Sequence, residues 1–171
     1  MKMYSSFRKQ QLITESWRRF LNEEQENQEL ILKKPEELDD EQKKKLEVLL
    51  NKADAHEEFS GFNLVIGPEY DSRRIAFLLG DQVVGFMTPR KESRFDDRWR
   101  TGAIFVDEEF RGRSIAPSAI KQFFKDKKGY AWISNNNVSS QKAFRAAGFK
   151  KGDERSMGDS PSDQGYDWFK D

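Results

Sequence analysis

The chain of 171 residues is long enough for one domain with a single core, and it is very polar, with 36% hydrophobic and 35% charged residues. Fourteen Phe and four Trp supply the apolar bulk. With no Cys and a single His, His56, disulfides, thiolate nucleophiles, Cys-ligated zinc and multi-histidine metal sites are excluded. A net charge of zero argues against a nucleic-acid partner. No apolar run approaches the ~20 residues that span a bilayer, so we expect a cytoplasmic protein with no membrane partner.

The first 58 residues are predicted to form two helices. In the first, apolar residues recur roughly every four positions: Leu12, Trp17, Phe20 and Leu21. The second opens at Pro35-Glu36-Glu37, with Pro in the first turn and acids at the positive end of the helix dipole. Its apolar face comprises Leu38, Leu46, Leu49, Leu50 and Ala53. We therefore divide the chain into an N-terminal helical segment, residues 1–58, and a domain, residues 59–171.

Two polar features of the N-terminal segment are expected to lie in solvent or in a structural position. The lysine run at 43–45 is most simply a solvated helix face. His56 continues the apolar stripe of the second helix, which favours a structural or surface role over a catalytic one.

From residue 61 onward the pattern changes to strands that alternate with helices. Strands are predicted at 62–66, 74–79, 82–88, 100–106, 130–134, from 149 onward, and at 166–170. Gly80-Asp81 is a hairpin turn signal between two of them. Helices are predicted at about 117–128 and 138–147, each followed by a Gly. This order predicts an α/β (α+β) core in which strands 100–106 and 130–134 lie parallel.

The segment between strand 100–106 and the next helix carries the clearest chemical signal. It contains Arg111-Gly112-Arg113-Ser114-Ile115-Ala116. A chain that leaves a strand and enters a helix N-terminus presents free backbone N–H groups to one point, which favours anion binding. Gly112 permits close approach of the backbone to a ligand, and the two arginines can donate to phosphate oxygens. It is neither a Walker loop nor a dinucleotide-binding GxGxxG motif.

This segment resembles the pyrophosphate loop of the GNAT acetyltransferases, Arg/Gln-x-x-Gly-x-Gly/Ala, here Arg111-x-x-Ser114-x-Ala116 with Val106 in front. Downstream, Asn137 to Phe149 is similar to the second motif of that family, Asn-x-x-Ala-x-x-Leu-Tyr-x-x-x-Gly-Phe. The hairpin around Gly85 is similar to the second and third strands of the family. The resemblance covers roughly residues 73–150.

The resemblance implies a mostly antiparallel twisted sheet with a central parallel pair, and N-acetyl transfer from acetyl-CoA, a co-substrate, to a small-molecule or peptide amine without a metal. In the family the pantetheine arm lies between the splayed fourth and fifth strands, the pyrophosphate rests on the loop, and the Asn of the second motif meets the pantetheine. The predicted cofactor-binding residues are accordingly Phe105, Val106, Arg111, Gly112, Arg113, Ser114, Ile115, Ala116, Asn137, Ser140 and Phe144.

Three positions depart from the family pattern. Ser114 replaces a Gly, and Pro117 disfavours a helical Ala116, which predicts a late helix start. Phe144 stands where many members carry a Tyr that protonates the departing thiolate. No acid lies within 100–106, so the catalytic acid and base are unassigned. Candidate bases are the acids that flank the strand: Asp96, Asp97, Asp107, Glu108 and Glu109.

These departures keep a second hypothesis open: a GNAT-like domain that is catalytically weak or inactive and acts as a protein-interaction module. Ile13-Thr14-Glu15 also resembles the cleavage motif on internal proteins of tailed phages. The identity of the acceptor amine and the oligomeric state stay open. A third hypothesis, an RNA-binding module, lacks a recognisable RNA motif.

Overall fold

The computed structural model describes residues 28–55, 73–92, 97–158 and 163–171. In chain order the strands are β1 (Leu30–Lys33), β2 (Ile75–Leu79), β3 (Gln82–Glu92), β4 (Arg98–Val106), β5 (Gly129–Ser134), β6 (Lys150–Ser156) and β7 (Gln164–Lys170). The helices are α1 (Asp40–Asp54), α2 (Ile115–Phe123) and α3 (Val138–Ala146). Within these residues no helix is long and apolar enough to cross a membrane.

All seven strands belong to one sheet with the order β1-β2-β3-β4-β5-β7-β6. Neighbouring strands are antiparallel except β4 and β5, which are parallel. The predicted mixed sheet and its central parallel pair are confirmed. The crossover from β4 to β5 passes through α2, as a parallel connection requires.

The two faces of the sheet are covered by different helices. On one side, which we call the α1 face, Leu46, Leu49 and Leu50 of α1 pack against Leu78, Phe86 and Phe105 of the sheet. On the other side, which we call the helix-pair face, α2 and α3 cover β4, β5 and β7 through Ile120, Phe144, Ala131, Ile133 and Trp168. Because α1 contributes fully buried leucines, it is part of the domain core.

Helix α1 begins at Asp40, later than the predicted start at Pro35. Asp39 accepts a hydrogen bond from the Gln42 amide at 2.8 Å, and the Gln42 side chain accepts one from the Asp39 amide at 3.2 Å. This capping box sets the helix start. Residues Pro35–Glu37 form a separate turn of 3-10 helix.

Strand β1 lies between the two helices predicted within residues 1–58, where the sequence analysis predicted no strand. Residues Leu30–Lys33 pair with β2 as an edge strand, and Leu30 and Leu32 pack on the helix-pair face. A run of four residues is too short for its alternation to be distinguished from a helix by pattern alone. The predicted first helix, the predicted strand at 62–66 and His56 lie outside the described residues.

Helix α2 begins at Ile115, ahead of Pro117, so the predicted late start is wrong. Pro117 occupies the third helical position, where an amide N–H has no acceptor within the helix, and it therefore removes no hydrogen bond. Burial of Ile115 and Ala119 fixes this first turn on the sheet. The helix ends at Phe123 rather than at residue 128.

Candidate functional site

The parallel strands β4 and β5 separate soon after they meet. Their ladder contains only two pairs, Trp99 with Gly129 and Arg100 with Tyr130. β4 continues to Val106 and β5 to Ser134 with no further pairing between them. The result is an opening that is closed at Arg100 and widens toward the C-terminal ends of both strands. Backbone groups along it require a partner, and an extended ligand chain can supply one.

A β-bulge in β4 lies just beyond the closed end of this opening. Met87 pairs with Ile104 and Pro89 with Thr101, so two steps along β3 correspond to three along β4. The extra residue leaves a backbone group of β4 outside the ladder and re-aims the strand. A Cβ on Gly102 would meet Thr88 at less than contact distance, so only Gly fits at this point.

The loop from Asp107 to Ala116 has the conformation of an anion-binding turn. Gly112 has φ +80° and Ser114 has φ +57°, so two residues are left-handed within one turn. Phe110 and Ile115 are buried and anchor the loop at both ends. Among the hydrogen bonds of the described residues, none is donated by the backbone N–H of the following four residues: Gly112, Ser114, Ile115 and Ala116. Space is open where a Cβ on Gly112 would lie, so nothing covers the loop at that residue.

The two arginines of the loop support the loop itself. Arg111 Nε donates to the Val106 carbonyl at 3.1 Å, and its guanidinium lies 5.6 Å from the centre of the Phe105 ring. Arg113 Nη2 donates to the Glu109 carbonyl at 3.2 Å. Arg111 therefore lies at the mouth of the opening, where its positive charge is next to any group that enters.

The remaining predicted site residues divide between the mouth of the opening and the core. Asn137 caps α3, since its Oδ1 accepts from the Ser140 amide at 3.0 Å. The side chain of Phe105 is buried beneath α1. Phe144 is 4% exposed and packs edge-on against Phe149 at 4.9 Å between ring centres. Val106 is half-buried beside α2.

Sequence reasoning missed the role of Asp107, which is only 1% exposed. Its carboxylate accepts from Lys45 Nζ at 3.2 Å, from Lys52 Nζ at 3.0 Å and from the Glu108 amide at 2.9 Å. Burial raises the pKa of Asp107, but the hydrogen bonds from the two lysines outweigh it and hold that pKa below its ordinary value. Lys45 is thus an ion-pair partner, so the lysine run is not simply a solvated face.

A second network that the sequence did not reveal lies at the closed end of the opening. The Tyr130 hydroxyl donates to Asp167 Oδ1 at 2.9 Å and accepts from Arg155 Nη2 at 2.9 Å. Burial and the hydrogen bond to Asp167 raise the pKa of Tyr130 to about 12. Tyr130 therefore stays protonated near neutral pH and acts as a hydrogen-bond donor there. Arg100 lies over its ring, 5.9 Å from the centre.

The strained Ser114 yields a stability prediction. A left-handed conformation costs a residue with a Cβ roughly 1–2 kcal/mol. Replacement with Gly removes this cost, but the greater flexibility of Gly in the unfolded chain cancels part of the gain. We expect Ser114→Gly to raise the free energy of unfolding by about 0.5–1 kcal/mol. Urea unfolding measures this change in the free energy of unfolding. Gly112→Ala, which adds a Cβ at a left-handed residue of the same loop, is the matched control and is expected to lower that free energy by about 1 kcal/mol. A less stable Ser114→Gly protein would contradict the argument.

Solved structures of known proteins share this arrangement of strands and helices. No family model and no curated protein matches the sequence. Among solved structures, a GNAT-family acetyltransferase from Bacillus cereus superimposes with a TM-score of 0.61 at 18% identity over 83% of this chain and 96% of that chain. Diaminobutyrate acetyltransferase from Paenibacillus lautus gives 0.57 at 11% identity over 84% and 95%. The chain has the GNAT fold. The resemblance of the two sequence motifs to the GNAT family implied a pantetheine arm between the fourth and fifth strands and a pyrophosphate on the loop. In this structure those positions are the opening between β4 and β5 and the loop before α2.

Proposed function

We propose that this protein transfers an acetyl group from acetyl-CoA to a primary amine. The observation that carries the proposal is the opening between β4 and β5, with a loop of free backbone N–H groups at its mouth. The GNAT-fold neighbours include proteins described as acetyltransferases, one of them in complex with coenzyme A and an amine substrate. The residues present fit a thioester of this kind, because an extended arm and a pyrophosphate match the strand edge and the loop.

In this proposal the residues of the chain act by positioning. The backbone edge of β4 between the bulge and Val106 aligns the arm of the substrate. The backbone N–H groups of Gly112, Ser114, Ile115 and Ala116 donate hydrogen bonds to its phosphates. The amine nitrogen then attacks the thioester carbonyl, with the oxyanion stabilised by a backbone N–H of β4. Asp107 is committed to two lysines, which makes it unsuited as a base. Glu108, Glu109 and Asp97 are exposed acids beside β4.

Thermal unfolding with acetyl-CoA tests the proposal. A ligand that binds only the folded state stabilises it by about 2.7 kcal/mol at a hundredfold excess over its dissociation constant. We expect acetyl-CoA and CoA to raise the melting temperature, and adenosine without phosphates to leave it unchanged. Release of free CoA thiol in the presence of amines then measures the transfer itself. No shift with either CoA compound would contradict the proposal.

Replacement of Phe144 with Tyr provides a further prediction. Phe144 cannot protonate the departing thiolate, and a general acid contributes typically about 10²–10⁴-fold. We expect Phe144→Tyr to increase turnover with a reactive amine by about tenfold or more, with acetyl-CoA affinity within about a factor of three. Because Phe144 is 4% exposed, the melting temperature of the variant is measured alongside. A stable variant with unchanged turnover would show that proton delivery to sulfur does not limit the reaction.

The second candidate function, an interaction module without catalysis, is favoured by one specific contact. Arg111 Nε already occupies the Val106 carbonyl, a group with which the pantetheine arm would pair in the family. Calorimetry discriminates the two functions. Absence of acetyl-CoA binding, together with a normal melting curve, would favour the interaction module.

A further inference from the structure

Arg111 lies at the mouth of the opening and contacts the last residue of β4. Its Nε donates to the Val106 carbonyl at 3.1 Å, and its guanidinium lies 5.6 Å from the centre of the Phe105 ring. Glu108 Oε1 lies 4.0 Å from Arg111 Nη1, and since both side chains are exposed this pair holds the guanidinium only weakly. The Arg111 side chain is 47% exposed, so it can leave this position without opening the core.

The Val106 carbonyl points into the opening. Asp107 donates its backbone N–H to the Val84 carbonyl at 2.9 Å, and a Cβ on Gly85 would lie 2.5 Å from the Phe105 carbonyl oxygen. Residues 105 and 107 therefore direct their backbone groups toward β3. Because these directions alternate along a strand, the N–H and C=O of Val106 point the other way, where β5 no longer pairs with β4. This carbonyl is thus an acceptor that an extended arm meets at the mouth.

The contact makes Arg111 a competitor of an arm that binds along β4. An amide N–H of such an arm needs the Val106 carbonyl as its acceptor, and in this structure the guanidinium donates to that carbonyl. Hydrogen bonds from charged donors are stronger than those from neutral ones. A neutral arm therefore has to replace a charged donor with a weaker one, and it offers the displaced guanidinium no new partner.

Phosphate groups change this balance, because they give the guanidinium an alternative acceptor. Arg111 directly precedes Gly112, the first residue of the loop whose backbone N–H groups bind phosphate in the proposed function. A guanidinium can bind a phosphate through two parallel hydrogen bonds. A thioester whose arm carries phosphates thus supplies both a donor for the Val106 carbonyl and an acceptor for Arg111.

We infer that Arg111 determines specificity for the acyl donor, by selecting thioesters whose pantetheine arm carries phosphates over those with a bare arm. In the free protein the guanidinium occupies the Val106 carbonyl. The phosphates draw it away, and the arm then pairs with the carbonyl. The same side chain accordingly hinders a phosphate-free arm and favours CoA. This inference rests on the proposed acetyl transfer from acetyl-CoA.

Binding of CoA and of pantetheine, its phosphate-free fragment, to Arg111→Met tests the inference. Met keeps an apolar stem beside Phe105 but has no donor for the Val106 carbonyl. We expect the dissociation constant of pantetheine to fall about threefold or more, and that of CoA to rise about threefold or more. Titration calorimetry measures CoA, and competition against CoA measures pantetheine. A loss of folded protein would weaken both ligands, so it cannot produce changes of opposite sign.

Lys44→Met is the matched control for the loss of one positive charge. Lys44 is exposed on α1, and its replacement is expected to leave both dissociation constants unchanged within about a factor of two. Pantetheine that binds Arg111→Met no more tightly than the parent, or that binds neither protein, would overturn the inference while leaving CoA binding intact. Failure of CoA to bind the parent protein would overturn both the inference and the proposed reaction.

Discussion

Replacement of Asp107 with Ala is expected to lower the free energy of unfolding by about 2–3 kcal/mol. Removing one partner of a fully buried ion pair typically costs about 3–5 kcal/mol. The value here is smaller because the side chains of Lys45 and Lys52 are 33% and 48% exposed and can turn toward water. The loss remains large because the Glu108 amide and the packing of α1 against the end of β4 also depend on this carboxylate.

Urea unfolding at neutral pH measures this effect, and Glu109→Ala serves as the matched control. Glu109 is an exposed acid in the same loop, so its removal is expected to change the free energy of unfolding by less than about 0.5 kcal/mol. Equal small effects of the two substitutions would contradict a structural role for the buried carboxylate.

The pH dependence gives an independent check on the same residue. The folded-state pKa of Asp107 lies below its ordinary value of 3.8, so the folded protein favours the ionised form. Its contribution to stability is therefore present above that ordinary value and is lost as the pH falls through the lower, folded-state pKa. We expect stability to decline less steeply below about pH 4 in Asp107→Asn than in the parent protein. Parallel declines would contradict the assignment.

Arg111→Glu is expected to weaken acetyl-CoA binding at least tenfold, or about 1.4 kcal/mol. The substitution places a carboxylate at the mouth of the opening, next to the phosphates that the loop N–H groups bind in the proposed function. It also removes the donor that holds the Val106 carbonyl. Both changes act on the same loop, and the electrostatic part predicts a smaller loss of affinity at high salt.

Isothermal titration calorimetry measures the affinity, with two further variants as controls. Arg111→Gln removes the charge without introducing an acid, so its effect is expected to fall between that of Arg111→Glu and the parent. Lys44→Glu makes the same change of net charge on an exposed position of α1, and it is expected to leave the affinity unchanged. Equal affinity of Arg111→Glu and the parent, with both proteins folded, would remove the phosphate assignment of the loop.

The sequence by itself determined the alternation of strands and helices, from which the parallel direction of β4 and β5 followed, and the loop between Val106 and α2. These features depend on signals that lie within a few residues of one another: apolar periodicity, the Gly80-Asp81 turn, and Gly112 between two arginines. The register of the second motif likewise placed Asn137 at the start of α3. The sequence did not determine the role of either loop arginine, because a guanidinium group can donate either to a ligand or to the backbone of its own chain.

Only the tertiary structure decided which polar groups are buried together. Asp107 meets Lys45 and Lys52 across separations of 62 and 55 residues, and no local pattern marks such a contact. Tyr130 and Asp167, 37 residues apart, meet because β7 inserts between β5 and β6. Strand β1 is likewise defined by its partner, since four residues acquire a register only when β2 supplies the hydrogen bonds. Ion pairs, cross-strand contacts and edge pairing are non-local, and the fold alone brings their members together.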